Sequence, residues 1–186
     1  MTWLTENELK EKGIKFGKNV RISDSCKINC EELEVDDHCR VDDFCFLSGK
    51  IKIGKYVHIS VGSILSGTNG ITIGNFVGIA PNSYLFTSND DYVGGRSLTN
   101  PTIPKQFVRY ITRSKITIKD HAIIGAFSSV FPGSILHEGS AFGSYSIIDG
   151  EYDSWKIYSM KRKKVVYRKD RPKEIILEDA KKILSE

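Results

Sequence analysis

The four cysteines of this 186-residue chain include no C-x-x-C pair, which removes the ligand spacing of a small zinc module. The four histidines, His38, His58, His121 and His137, offer no close pair, and a three-histidine metal site needs one. No stretch approaches the ~18 consecutive apolar residues of a membrane span. The opening Met1-Thr2-Trp3-Leu4-Thr5-Glu6 lacks the basic and apolar regions of a leader. A cytoplasmic location without membrane insertion is therefore expected. Neither sign of charge dominates: the net charge is +4, with 27% charged and 40% hydrophobic residues, ordinary values for one soluble domain.

What the chain has instead is a period of six. Val35, Val41, Leu47, Ile53, Ile59, Leu65, Ile71 and Val77 form an unbroken aliphatic column, and Ile118, Ile124, Val130, Leu136, Phe142 and Ile148 form a second. Four residues after members of the second column stand small residues: Ala122, Ser128, Ser134, Ser140 and Ser146. One large inward residue and one small corner residue per six predict a parallel β-helix, in which three short strands make one coil. After Leu65 the phase moves by two residues, and the better register downstream uses Ile73, Ile79 and Leu85. Cys26, Cys39 and Cys45 occupy small positions of their repeats, where a buried thiol packs as a compact hydrophobe.

The segments Ile53-Gly54-Lys55-Tyr56-Val57-His58 and Ile73-Gly74-Asn75-Phe76-Val77-Gly78 resemble the motif of the hexapeptide-repeat acyltransferases, over about residues 14 to 170. The resemblance implies an all-β, left-handed parallel β-helix; periodicity shows coils and not their hand. The expected organisation is a capping helix at 1–13, a β-helix domain at 14–153 with an extruded loop at 86–115, and a basic segment with a C-terminal helix at 154–186. Solenoid ends need covering. Thr5 and Glu8 form a capping box, Leu4 and Leu9 a staple, and Gly13 a stop. Pro172 to Leu184 reads as an amphipathic helix with Ile175, Ile176, Ala180, Ile183 and Leu184 on its apolar face.

Between Phe86 and Lys115 the period is lost, and so long an excursion in a compact domain points to function. Its wording, Ser88-Asn89-Asp90-Asp91-Tyr92, Arg96 and Leu98 to Pro104, is similar to sugar O-acetyltransferases of surface-polysaccharide biosynthesis. The resemblance implies acetyl-CoA-dependent transfer to a sugar hydroxyl, with no metal, in homotrimers whose sites lie between subunits. Ser88, Asn89, Tyr92 and Arg96 become candidate contacts for a sugar or nucleotide-sugar acceptor.

Such a transfer needs a base for the acceptor proton and donors for the oxyanion. In maltose and galactoside acetyltransferases, to which the chain is similar, the loop supplies the catalytic histidine; here the loop has none. His38 and His121 fall at corners and read as solvated turn residues, and His137 as a structural corner. His58 points outward from a flat face in Tyr56-Val57-His58-Ile59-Ser60 and is the candidate base, with Asp90 or Asp91 as its carboxylate partner. The pair would have to meet between subunits, because the two sit on different coil faces.

For the donor, Gly125, Ala126 and Ser144 lie at corners flat enough for a pantetheine arm. The segment Trp155 to Val166 aligns with the family's closing Gly-x-Pro-Ala-Lys, of which only Lys164 matches. Residues 161–173 carry eight Lys or Arg against one Asp, so Arg162, Lys163 and Lys164 are candidates for coenzyme A phosphates. Clustered cations also suit nucleic acid, but the chain has no recognition motif. Two alternatives remain. One is amino-sugar N-acetylation, although many such enzymes carry an N-terminal nucleotide-binding α/β segment, which this sequence does not show. The other is a non-catalytic solenoid scaffold.

Overall fold

The computed structural model describes residues 2–90, 102–108, 110–161, 164–170 and 173–185, without the side chains of 164, 175 and 176. Its body is a parallel β-solenoid of about seven turns. On the first face Phe16, Val35, Ile53, Ile73, Ile118, Leu136 and Tyr152 stack in parallel register. On the second stand Ile22, Val41, Ile59, Ile79, Ile124, Phe142 and Tyr158. The third stacks Ile28, Leu47, Leu65, Leu85, Val130 and Ile148. Most of these side chains are buried, because a two-residue strand turns one side chain inward and the preceding one outward.

The small corner residues have a polar as well as a steric reason. Ser134 Oγ donates to the carbonyls of Phe131 at 2.8 Å and Ile148 at 3.1 Å, and Ser146 Oγ to that of Gly143 at 2.6 Å. At these two corners the hydroxyl is short enough to reach a carbonyl inside the turn and so is buried with its partner. Cys39 and Cys45 are buried in the equivalent place, donating to the Gly54 and Ser60 carbonyls. Burial pushes the Cys39 thiol up to about 11, as suits packing rather than reactivity. The two-residue shift is real: Gly49 pairs with Gly67 and Ile51 next pairs with Ile71.

At the corner between the first and second faces the residues with positive φ line up coil over coil. His38, Tyr56, Phe76 and His121, with φ between 56° and 63°, stack their rings at 4.7, 5.0 and 5.0 Å. The expectation of two solvated histidines is corrected for His121, which is buried in this ladder; His38 is exposed but stacked on Tyr56. The coil repeat itself sets the ring spacing, and stacking offsets part of the cost of left-handed backbone. Trp155 continues the ladder to His121 at 5.8 Å by lying over Gly139. A Cβ at Gly139, whose φ is +70°, would stand 2.4 Å from that indole. Gly139→Ala is therefore expected to destabilise the fold by about 2 kcal/mol or more through overpacking and backbone strain, read as a lowered midpoint of thermal unfolding.

Both ends are closed. Helix α1 (Glu6–Glu11) has the expected capping box, with Glu8 N donating to the Thr5 hydroxyl and Thr5 N to the Glu8 carboxylate, and Leu9 is buried. At the other end Lys156–Lys161 and Lys164–Asp170 pair antiparallel. In that hairpin Tyr158 lies on Phe142 at 5.1 Å and meets Tyr152 edge-on, sealing the column. Helix α2 (Lys173–Leu184) follows, with Ala180 buried and Ile183 and Leu184 exposed. Ser88–Asp90 and Ile111–Arg113 form an antiparallel pair at the base of the long excursion, which leaves after the third-face strand Tyr84–Phe86 and returns to the first face at Ile116–Ile118. Among the described residues no helix is long and apolar enough to cross a membrane.

Candidate functional site

His58 is the outward residue of the two-residue strand His58–Ile59 on the second face, with Val57 and Ile59 buried on either side of it. Its ring is about half exposed, and Nε2 lies 2.8 Å from Asp42 Oδ2. Asp42 belongs to the coil before, just past Val41, and its side chain is only 10% exposed. Its other oxygen, Oδ1, accepts from Arg40 Nε at 2.6 Å, and the Arg40 guanidinium lies 5.4 Å from the centre of the Trp3 ring. Burial by itself would raise the Asp42 carboxyl, but the hydrogen bonds from His58 and Arg40 outweigh it and hold the group below its ordinary value.

An ionised carboxylate only accepts, so His58 Nε2 is the donor. The neutral imidazole then keeps its lone pair on Nδ1. The arrangement is an outward imidazole with one nitrogen pinned by a buried, doubly bonded carboxylate and the other available to take a proton.

Within one chain Asp90, an expected partner of His58 across a subunit boundary, stands on a different face. Asp90 is the last residue of the strand Ser88–Asp90, beyond the third face and one coil later; among the described residues the carboxylate that reaches His58 is Asp42. Ser88 and Asn89 accompany Asp90 on that half-buried strand. Asp91, Tyr92 and Arg96 lie outside the described residues, as do Arg162 and Lys163, while Lys164 is described by its backbone alone.

Gly125 and Ala126 follow the second-face strand Ile123–Ile124, and Ser144 occupies the next coil. These donor candidates therefore share one side of the prism with His58. A Cβ on Gly125 would come within 2.5 Å of the backbone of Gly143 and Ser144, so close coil stacking requires that glycine. Ala126 accepts from Tyr145 N at 2.8 Å, and Ser144 is exposed. Beside them Phe127 and Tyr145 stack at 5.2 Å with both rings exposed, an apolar border that hexapeptide counting misses because it follows only inward and small positions. His137 pairs with Glu151 at 2.6 Å, consistent with a corner role. Among the described residues no group of three or more His, Cys, Asp or Glu is placed to hold a metal ion.

No family model matches the chain. A protein of Escherichia coli, dTDP-4-amino-4,6-dideoxy-D-glucose acyltransferase, is 35% identical over 162 residues, which are 84% of this chain and 83% of the relative. The chain belongs to the hexapeptide-repeat acyltransferases. Among solved structures, this acyltransferase is similar to a variant of AntD, an N-acyltransferase from Bacillus cereus, in complex with dTDP-4-amino-4,6-dideoxyglucose and coenzyme A. Identity is 34% and the TM-score 0.90, over 99% of this chain and 98% of that one. AntD in complex with dTDP and 3-hydroxybutyryl-CoA matches at 33% identity and a TM-score of 0.89, over 98% and 97%. A hexapeptide-repeat acetyltransferase from Vibrio cholerae with bound acetyl-CoA, at 15% identity, a TM-score of 0.53 and coverage of 91% and 80%, shares the fold.

Proposed function

We propose that this acyltransferase moves an acyl group from coenzyme A to the amine of a dTDP-linked 4-amino-4,6-dideoxy sugar. The observation that carries the reading is the likeness, along nearly the whole of both chains, to AntD with a dTDP-amino sugar and coenzyme A bound. It favours the amine over the hydroxyl acceptor expected first. AntD is matched along 98% of its solved chain, so the likeness to an amino-sugar enzyme does not depend on a preceding nucleotide-binding segment.

In this reading the amine nitrogen attacks the thioester carbonyl carbon while His58 Nδ1 accepts a proton from that nitrogen. As the tetrahedral intermediate collapses the C–S bond breaks, and the electron pair leaves with sulfur. The His58 imidazolium returns its proton to the thiolate, giving an amide and free coenzyme A with no acyl-enzyme. Asp42 keeps the ring in the productive tautomer and stabilises the imidazolium, the part a carboxylate plays in other acyl-transfer sites. Ser88, Asn89 and Asp90, with Asp91, Tyr92 and Arg96, act on the acceptor from a neighbouring subunit of a homotrimer, since Asp90 and His58 leave one chain on different faces. Gly125, Ala126, Ser144 and the basic residues Arg162, Lys163 and Lys164 serve the donor.

The test is to incubate the protein with acetyl-CoA or 3-hydroxybutyryl-CoA and dTDP-4-amino-4,6-dideoxyglucose, following free thiol and product mass. Thiol release with a gain of one acyl group is the expected result, and dTDP-glucose, which offers hydroxyls only, should give none. Equal turnover on dTDP-glucose would restore the hydroxyl acceptor. Absence of both turnover and coenzyme A binding would favour the scaffold.

A further inference from the structure

In coil order the outward positions of the second face include Arg40, His58, Gly78, Ile123 and Ala141. A glycine within a strand forgoes packing and loses more backbone freedom than any other residue on folding, and it often marks a place where a ligand comes close. The fold itself gives no reason for this one. Gly78 does not have a positive φ, and a Cβ built on it meets nothing within 4 Å. Gly54 and Gly125 differ, because a Cβ there would come within 3 Å of the next coil's backbone.

What Gly78 leaves is an open notch. It pairs directly with His58, on the side opposite Arg40 and Asp42. The face also changes character at this point: the coil before His58 presents the ion pair of Arg40 and Asp42, while beyond the notch come Ile123, which is 39% exposed, and Ala141. A thioester is weakly polar and suits the second side, and that side also leads to Gly125, Ala126 and Ser144.

We propose that Gly78 forms the slot through which the acyl group reaches the amine at His58, and that its missing side chain sets how large an acyl group is accepted. The inference rests on the reading of His58 as the base.

The test compares wild type, Gly78→Ala, Gly78→Leu and His58→Ala with acetyl-CoA and with 3-hydroxybutyryl-CoA as donors. Because the site is sterically open, both glycine variants should keep the wild-type unfolding midpoint within a few degrees and the same assembly mass. A methyl in the slot should lower kcat/KM about tenfold more for the larger donor, within the range that one carbon in a pocket commands. Leucine should lower both donors by about 10² through misplacement of the reacting groups. Wild-type turnover by Gly78→Leu beside an inactive His58→Ala would overturn the slot and leave the base standing. Equal losses for the two donors in Gly78→Ala would also overturn it, as would a changed assembly mass in either glycine variant, which assigns the glycine to a subunit contact. Wild-type turnover by His58→Ala would remove the base and the slot with it.

Discussion

His58→Ala is expected to lower kcat by about 10² to 10⁴, the usual contribution of a general base, or roughly 3 to 5 kcal/mol of barrier. Affinity for acyl-CoA should stay near the wild-type value, because the donor candidates Gly125, Ala126 and Ser144 lie on later coils. Single-turnover kinetics and a calorimetric titration of acetyl-CoA separate the two quantities. The fold should survive: the ring is about half exposed on the outside of the prism, whereas Val57 and Ile59 on either side carry the packing. If the acceptor amine arrives unprotonated and loses its proton to water, the variant will turn over almost as fast as wild type, and the assignment to His58 falls.

Asp42→Asn should cost about 10² in kcat, because a wrong tautomer disables an otherwise intact imidazole. An amide can present its NH₂ to His58 Nε2, in which case Nε2 becomes the acceptor and the proton moves to Nδ1, the atom that has to be free. Nitrogen chemical shifts of the His58 ring read this directly: Nε2–H in wild type and Nδ1–H in the variant. A residue of merely structural importance would leave those shifts unchanged. Removing the charge also weakens the hydrogen bond that Arg40 Nε gives to residue 42, so a loss of stability on the order of 1–3 kcal/mol accompanies the kinetic effect.

The acid limb follows from the same pair. In the folded chain Asp42 is held below its ordinary value, so the unfolded chain binds the proton more readily. The pair's stabilisation is present above the unfolded carboxyl value of about 3.9 and is lost as pH falls through the lower folded value. The difference in stability between wild type and Asp42→Asn should therefore shrink below about pH 4, measured by urea unfolding across that range.

Much of this molecule can be read along the chain because the solenoid is a local code. The inward column from Val35 to Ile148, the small corners at Ser128, Ser134 and Ser146, and the capping box of Thr5 and Glu8 all depend on near neighbours in sequence. So does the outward direction of His58, which follows from its position just before an inward isoleucine. The excursion between Phe86 and Lys115 shows itself by the loss of the period, and the structure has it leave and return as the pair Ser88–Asp90 and Ile111–Arg113.

Asp42 was legible in principle. Coils of 18 residues place Arg40 beside His58, and two residues further along the same strand direction is Asp42, on the same outward side. The resemblance points instead to the polar loop, with Asp90 or Asp91 meeting His58 between subunits. His121 reads as a solvated corner for a related reason: its burial is produced by Phe76 and Trp155, residues 45 and 34 positions away in number but one coil or two in space. The hairpin of Lys156–Lys161 with Lys164–Asp170 is masked by charge, since the eight cations of residues 161–173 cover its turn and its return strand, the half that would show Lys156–Lys161 to be paired.

By itself, then, the sequence determined the coil, its period, the residues that fill it and the histidine that stands outside it, because each of these is decided by whether one side chain is large, small or polar at a fixed step. Only the tertiary structure decided which carboxylate meets that histidine, which nitrogen is left to act and where the face beside it is open. Those depend on the side chains of neighbouring coils, which become neighbours only when the backbone ladder stacks one turn on the next.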